Sequence, residues 1–257
     1  MSAKIEPTFS MPPDLDEHGG GGRPGIVESA LRKAVPSREV VLRQGQEVSP
    51  GALLAPILNL NDPHGEEIRA LRTALLLLSP SSTASIVLAV VSPARGEGRS
   101  QLAAELALSF AQLGKSTLLV DADLRRPTLH VLFGSAGEFG VSDAIAFDAP
   151  PYMHPVAGMT RMHFVAAGNV RQTNPLELLS DSRFARLLDQ WRGSYSFVVI
   201  DTPPISEYAD GLAVATLAGS VLTVNRAKHT SYDQVREMMR RLALTQSRVL
   251  GAVVSHF

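Results

Sequence analysis

The chain has 257 residues, of which 45% are hydrophobic and none is cysteine, and its formal net charge at pH 7 is −1. This size and composition suit one α/β domain with a tail or two smaller domains, and they exclude disulfides, thiolate catalysis and cysteine-based metal centres. The small net charge argues against a nucleic-acid partner. No apolar stretch reaches the ~20 residues of a membrane-spanning helix, and the first residues lack the apolar segment of a secretory signal. We therefore expect a cytoplasmic chain without direct membrane insertion.

The first 60 residues differ in composition from the remainder of the chain. They contain several prolines, a glycine run at 19–22 and little periodic apolar pattern. Such a composition is typical of segments that bury too little apolar surface to fold alone. We expect residues 1–60 to form a largely disordered or adaptor segment and residues 61–257 to form the folded domain. The alternative is that the first segment adds an ordered layer to the core.

The folded domain begins with a predicted helix, because Asp62 is a good N-cap, Pro63 is a good first helical residue, and apolar residues follow at helical spacing. Apolar runs then alternate with amphipathic ones. Strands are predicted over 86–91, 116–120, 162–166, 197–200, 220–225 and 249–254, and helices over 100–113, 174–191, 209–217 and 232–244. This alternation predicts an α/β fold with a parallel sheet and helices on both faces, in three layers.

A glycine-rich turn lies between the strand at 86–91 and the helix at 100–113. Its sequence over residues 92–100 is Ser-Pro-Ala-Arg-Gly-Glu-Gly-Arg-Ser. Backbone N–H groups of such a turn can bind phosphate, and the standard loop adds a lysine for phosphate and a serine for Mg²⁺. Arg99 stands at the lysine position and Ser100 at the Mg²⁺ position. The candidate cofactor-binding residues are Gly96, Glu97, Gly98, Arg99, Ser100 and Gln101; the alternative is a turn that binds nothing.

Acidic residues follow two other predicted strands. Asp121 and Asp123 come after the strand at 116–120, where carboxylates can hold hydrated Mg²⁺ or orient a reacting group. Asp201 comes after the strand at 197–200, which is the place of a Mg²⁺ partner in P-loop proteins. A capping role in a loop is the alternative for each of them. Because open parallel sheets bind ligands at the carboxyl ends of their strands, we expect these acids to lie near the glycine-rich turn.

Together these segments resemble the bacterial tyrosine kinases (BY-kinases) of capsule and exopolysaccharide biosynthesis, which belong to the MinD/ParA-like group of P-loop ATPases. The resemblance covers residue 62 to the end and rests on the segments 121–127, 174–179 and 200–204 and on an E-x-x-R-x-x-R pattern. It implies a P-loop NTPase fold and a site for ATP or ADP with Mg²⁺. The catalytic residues that it implies are Arg99, Asp121 and Asp123, and the implied Mg²⁺ ligands are Ser100, Asp121 and Asp201.

The resemblance also implies partners. In the family the E-x-x-R-x-x-R helix lies at subunit contacts of a ring, which makes Glu66, Arg69 and Arg72 candidate homo-oligomer contacts. Glu66 and Arg69 are also i, i+3 neighbours that can simply pair on one solvated helix face. The family acts with a membrane polysaccharide co-polymerase (Wzz-like), whose cytoplasmic segment would recruit this chain to the inner face of the cell membrane.

Two departures from the family pattern shape the functional expectation. Arg99 replaces the compact charge of lysine by a broader, planar one, and a misplacement of about 1 Å can cost on the order of 10²-fold in rate. The four tyrosines are scattered, without the family's tyrosine cluster. We expect a degenerate partner protein in exopolysaccharide export, with weak or lost ATP hydrolysis and no tail autophosphorylation. The alternatives are an active tyrosine kinase or ATPase of the same pathway, and a MinD/ParA-type positioning ATPase, whose extra lysine would stand at Ala94.

Overall fold

The computed structural model describes residues 43–78, 85–137, 139–169 and 173–256. Within these ranges, eight strands form one sheet: β1 (Arg43–Gln44), β2 (Ile86–Val91), β3 (Thr117–Asp121), β4 (Tyr152–Val156), β5 (Met159–Val165), β6 (Phe197–Asp201), β7 (Ser220–Arg226) and β8 (Arg248–Ser255). Their order across the sheet is β1-β4-β5-β3-β6-β2-β7-β8. All neighbours are parallel except β4 and β5. The predicted parallel α/β fold is therefore confirmed.

Helices cover both faces of this sheet. They are α1 (Ala55–Leu58), α2 (Pro63–Leu77), α3 (Arg99–Ala111), α4 (Leu129–Leu132), α5 (Val141–Phe147), α6 (Pro175–Ser180), α7 (Ser182–Ser194), α8 (Asp210–Ala218) and α9 (Tyr232–Leu242). The N-cap predicted for α2 is present, because the Asp62 carboxylate accepts hydrogen bonds from His64 N and Gly65 N. The single helix predicted over 174–191 is divided in two at Asp181, which ends α6 and caps α7. Every helix in the described ranges is too short or too polar to span a membrane.

The central strands are apolar throughout because helices cover them on both sides. Along β2, Val87, Ala89 and Val91 pack on one face, whereas Leu88 and Val90 pack on the other. The first face is covered mainly by side chains of α6 to α9, and the second by α2, α3 and the segment before α2. This arrangement leaves the carboxyl ends of β2, β3 and β6 side by side at one edge of the sheet.

The segment 43–60 belongs to the packed body, which differs from the predicted boundary at residue 60. Val48, Leu54 and Ile57 are buried in the core on the α3 side of the sheet. The backbone of this segment also bonds to the domain, with Val48 N donating to the Pro155 carbonyl at 2.9 Å. These few apolar residues have no regular spacing, so periodicity gave no signal for them. Residues 1–42 lie outside the described residues, and the expectation for them stays a prediction.

Two neighbouring leucines test whether residues 43–60 contribute to the core. Leu54 is 0% exposed and Leu53 is 63% exposed, and both lie in a 3₁₀ turn over Ala52–Leu54. We expect Leu54→Ala to lower the free energy of unfolding by about 2–5 kcal/mol, because it removes buried methyl groups and leaves a cavity. Leu53→Ala should change it by less than about 0.5 kcal/mol. Urea denaturation of both variants checks this, and equal effects would contradict the packing.

Candidate nucleotide-phosphate site

The loop between β2 and α3 has the backbone of a phosphate-binding turn. It follows Val91 and ends at Gly98, which precedes the first residue of α3. Gly96 and Gly98 have φ values of 73° and 85°, which glycine adopts without the strain that a side chain would cause. A turn of this kind at the N-terminus of a 13-residue helix offers N–H groups and the positive end of the helix dipole to an anion. The glycines of the sequence motif are thus where the turn needs them.

Arg99 points to the acidic residues at the ends of the neighbouring strands. Its side chain is 9% exposed. Nε donates to Asp201 Oδ1 at 2.9 Å, Nη1 to Ser92 Oγ at 2.8 Å, and Nη2 to Asp123 Oδ2 at 3.1 Å. Each nitrogen of the guanidinium therefore has a partner, and two buried carboxylates share this one cation. The structure brings Arg99, Asp123 and Asp201 together, as the sequence predicted.

Asp121 has a structural role that the motif did not reveal. The carboxylate is 0% exposed, and its two oxygens accept hydrogen bonds from Asp123 N at 3.1 Å and from Leu129 N at 3.2 Å. Burial raises the pKa of Asp121 well above its usual range, and the charges of Asp201 and Asp123 raise this pKa further. Both oxygens thus hold the turn after β3, so the predicted roles of Asp121 in catalysis and Mg²⁺ binding stay predictions.

The fit of the site to Mg²⁺ depends on the carboxylate oxygens of Asp123 and Asp201. Burial raises the pKa of Asp123 although the charge of Arg99 lowers it, and both Asp123 oxygens already have partners in Arg126 N and Arg99. Asp201 Oδ2 is buried and has no hydrogen-bond partner within the described part of the chain. Ser100 lines the adjacent cavity. These acids fit Mg²⁺ only in part, because Arg99 already neutralises them.

An arginine-rich cavity of about 200 Å³ lies in front of the loop, and Arg95, Arg99, Arg125 and Arg126 line it. Tyr208 forms one of its walls. The guanidinium of Arg125 lies over the ring of Tyr208, 4.1 Å from its centroid, which is within the range of a cation–π contact. Guanidinium groups on several sides can donate hydrogen bonds to an anionic group in this cavity, although Asp123 lines it as well.

Ion pairs fix two of these arginines in place. Arg125 is bidentate to the buried Asp210, with distances of 2.6 and 3.0 Å, and Arg95 contacts Glu207 at 2.6 Å and Tyr208 Oη at 3.0 Å. Motif reading did not find Asp210 and Tyr208 as site residues. A signal existed for Asp210, since an acid at the first position of a helix that follows a strand-end loop is positioned to face the same edge of the sheet.

Two predicted cofactor-binding side chains have partners elsewhere. The Glu97 carboxylate accepts hydrogen bonds from Arg226 N at the end of β7 and from the Thr230 hydroxyl in the loop that follows. The Gln101 amide donates to Glu105 at 2.9 Å. Neither side chain lines the cavity. Only the backbone of these two residues is therefore available for the predicted phosphate contact.

The three predicted oligomer residues make contacts within the chain. Glu66 and Arg69 form an ion pair at 2.8 Å, with the Glu66 side chain 72% exposed. Arg72 Nη1 donates to the Ser109 carbonyl at 2.7 Å, which ties α2 to α3. None of the three lines the phosphate cavity. The i, i+3 pair of the alternative interpretation is thus formed, and the oligomer contact stays a prediction.

The fold and this site define a P-loop α/β domain: a parallel sheet, a glycine-rich turn before a central helix, and acids at the adjacent strand ends. No protein-family model matches the chain. The solved structure of the septum site-determining protein MinD from Pyrococcus horikoshii, complexed with Mg-ADP, shares this fold. Its TM-score is 0.56 at 19% identity, covering 66% of this chain and 70% of that one.

Similarity to individual proteins is more specific. EpsB of Ralstonia nicotianae, assigned as a tyrosine-protein kinase, is 32% identical over 249 residues, which is 94% of this chain and 31% of EpsB. The tyrosine-protein kinase YwqD of Bacillus subtilis is 33% identical over 193 residues, covering 75% of this chain and 81% of YwqD. The succinoglycan biosynthesis transport protein ExoP of Rhizobium meliloti is 32% identical over 176 residues, 66% of this chain and 22% of ExoP.

The structural comparison agrees with these relatives. The kinase domain of the Escherichia coli tyrosine kinase ETK superposes with a TM-score of 0.74 at 28% identity, covering 85% of this chain and 84% of that one. The chain therefore belongs to the bacterial tyrosine kinase (BY-kinase) family within the MinD/ParA group of P-loop ATPases. It spans about a third of the length of EpsB.

Removal of Arg99 tests its role between the two acids. We expect Arg99→Ala to lower the free energy of unfolding by about 3–5 kcal/mol, because Asp123 and Asp201 remain buried without their cation. Arg126→Ala is the matched control, since Arg126 lines the same cavity but is exposed. Urea denaturation of both variants measures the difference.

The pH dependence of Arg99→Ala separates lost charge compensation from lost packing. The pKa of Asp123 is already raised in the folded protein, and loss of Arg99 raises it further. A carboxyl whose pKa is raised in the folded state binds more protons there than in the unfolded state. The free energy of unfolding therefore falls as the pH rises through the interval between the unfolded-state pKa and the folded-state pKa. The destabilisation should therefore be larger at pH 8 than at pH 5. A deficit that is equal at both pH values would contradict the ion pairs.

Proposed function

We propose that this chain is a BY-kinase-like partner of a membrane polysaccharide co-polymerase (Wzz-like) in exopolysaccharide biosynthesis or export, with weak or lost ATP hydrolysis. The observation that carries the proposal is the buried guanidinium of Arg99, bonded at once to Ser92, Asp123 and Asp201. The link to polysaccharides is supported by ExoP, whose name assigns it to succinoglycan biosynthesis. The chain would act in the cytoplasm, recruited to the inner face of the membrane by its partner.

The geometry of Arg99 disfavours efficient phosphoryl transfer. A nucleotide that takes Arg99 as its phosphate ligand must draw the guanidinium away from two buried carboxylates, and each would lose its cation. Buried acids without a partner cost several kcal/mol. A lysine carries one compact charge on a flexible stem and makes fewer fixed contacts. ATP or ADP therefore binds more weakly here than at a lysine-containing loop, and any γ-phosphate is held off line.

Acceptor chemistry supports the same proposal. The four tyrosines of the chain stand at 152, 195, 208 and 232, so the sequence contains no tyrosine cluster that neighbouring subunits could phosphorylate in turn. We propose that the role of the chain lies in assembly or regulation with its membrane partner.

Substitution of Arg99 by lysine tests the proposal. We expect the wild-type chain to hydrolyse Mg-ATP barely above background, and Arg99→Lys to raise turnover by about 10- to 100-fold, which is the range that a correction of about 1 Å can restore. Calorimetric titration with Mg-ATP and a phosphate-release assay measure binding and turnover. The double variant Arg99→Lys, Asp201→Asn should lose this increase in turnover, and that loss would assign the increase to this site.

Rapid hydrolysis by the wild type that disappears in Asp121→Asn would contradict the proposal and favour the alternative of an active tyrosine kinase or ATPase. That alternative has support in the site, because Ser100 lines the cavity and Asp201 Oδ2 is free of hydrogen bonds in the described residues. A MinD/ParA-type positioning ATPase has less support, since Ala94 stands where that group has its additional lysine. Binding of the isolated chain to lipid vesicles would favour it.

We also propose that the chain forms a homo-oligomer through Glu66, Arg69 and Arg72. Glu66 is the informative position, because its exposed carboxylate pairs with Arg69 alone within the described part of the chain. We expect Glu66→Ala to reduce oligomer formation in sedimentation velocity while changing the free energy of unfolding by less than about 0.5 kcal/mol. Arg72→Ala is the contrasting variant, since it also removes the bond to the Ser109 carbonyl. A monomeric wild type at micromolar concentration would contradict the oligomer.

A further inference from the structure

The four tyrosines of the chain all lie in the described ranges, and they differ strongly in accessibility. Tyr195 is buried, and its hydroxyl bonds to His163 Nδ1 at 3.1 Å. Burial raises the pKa of Tyr195 to about 12. Tyr152 is half-buried on β4, with its ring edge-on to that of Phe139 at 5.5 Å. Presentation of Tyr152 in an extended peptide requires β4 to leave the sheet, and the buried Tyr195 is inaccessible in the folded chain.

Tyr208 is also held by its surroundings. Its hydroxyl accepts a hydrogen bond from Arg95 Nη2 at 3.0 Å, and its ring lies under the guanidinium of Arg125. Both arginines have their own carboxylate partners. The hydroxyl thus faces the phosphate cavity of its own chain, where an external kinase would have to displace two ion-paired arginines.

Tyr232 has none of these restraints. Its side chain is 78% exposed, and it is the first residue of α9, directly after the N-cap Ser231. A capping box between Ser231 and Gln234 fixes this turn. The residues before it, Lys228 and His229, are exposed as well. An acceptor at an exposed helix start can be presented to a second active site after fraying of a single turn.

The same segment is connected to the phosphate loop. Thr230, two residues before Tyr232, donates its hydroxyl hydrogen bond to the Glu97 carboxylate, and Arg226 N donates to the same oxygen. Glu97 lies between the two glycines of the loop. A change of charge or order at the start of α9 therefore acts on residues that hold the phosphate-binding turn.

We propose that Tyr232 is a phosphate acceptor for a tyrosine kinase of this family. The phenolic oxygen attacks the γ-phosphorus of ATP, a new O–P bond forms, and the bond from γ-phosphorus to the β–γ bridging oxygen breaks. ADP leaves with that electron pair, and the phenolic proton passes to solvent or to a base of the kinase. The product adds a charge of about −1.5 to −2 at the first turn of α9, where the helix dipole favours it.

A cation for the new phosphate is already nearby. Arg236 lies one turn further along α9, at i+4 from Tyr232, and pairs with Asp233 at 3.3 Å on the surface. Its guanidinium is 69% exposed and can turn to the more highly charged phosphate. The inference rests on the proposed function and adds to it a second, active kinase of the family, but it does not depend on whether this chain transfers phosphate itself.

Peptide mapping after phosphorylation tests the acceptor. The full chain is incubated with Mg-ATP, alone and with the kinase domain of ETK as probe, and phosphotyrosine is located by mass spectrometry of its peptides. We expect phosphate on Tyr232 in at least tenfold excess over the other three tyrosines when the probe kinase is present. Tyr232→Phe should lose at least 90% of the incorporated phosphate. Tyr152→Phe is the matched control and should lose none, and circular dichroism verifies that both variants are folded.

The outcomes separate this inference from the proposed function. Phosphate on Tyr152, Tyr195 or Tyr208 instead, or no phosphate on the chain while the probe kinase modifies itself, overturns the acceptor assignment and leaves the Arg99→Lys test unaffected. Phosphate on Tyr232 without any added kinase supports the acceptor but contradicts weak or lost activity. Phosphate on Tyr232 only with the probe kinase supports both.

Discussion

One guanidinium connects the three central strands at their carboxyl ends. Arg99 bonds to Ser92 after β2, to Asp123 after β3 and to Asp201 at the end of β6. The parallel order of these strands forces acids of like charge into one buried region, which is unfavourable without a cation. Arg99, which stands at the position of the expected lysine, compensates the charge of these acids. The stability of the strand ends and the proposed nucleotide chemistry therefore depend on the same residue.

The sequence predicted those parts of the fold in which a strand is buried on both faces or a helix has a clear cap and apolar face. Strands covered on both faces, such as β2 and β6, are apolar throughout, and the helix beginning at Asp62 has a strong cap and a regular apolar face. The edge of the sheet formed by β4 and β1 could not be predicted in this way. β4 contains His154 and Pro155 and pairs antiparallel with β5, and β1 is two residues long. Short edge strands with polar residues carry little period-2 pattern.

The site was predictable as a list of residues, but not as a set of contacts. Motif spacing identified the glycine-rich turn, the acids at the strand ends and Arg99, and the sheet brings them together. The partners of each side chain depend on residues far away in the chain: Arg125 on Asp210, and Glu97 on Thr230. Local pattern contains no information on such pairs. The same holds for Asp121, whose oxygens serve the backbone of the following turn.

The cation that compensates these acids, the Arg99 guanidinium, is part of the chain itself and not a bound ion. In a site whose acids rely on a divalent ion, the local structure follows the supply of that ion. Here the neutralising charge is covalently attached, so a chelator cannot withdraw it and dilution cannot release it. The carboxylates of Asp123 and Asp201 therefore keep their compensating charge at any concentration of free magnesium.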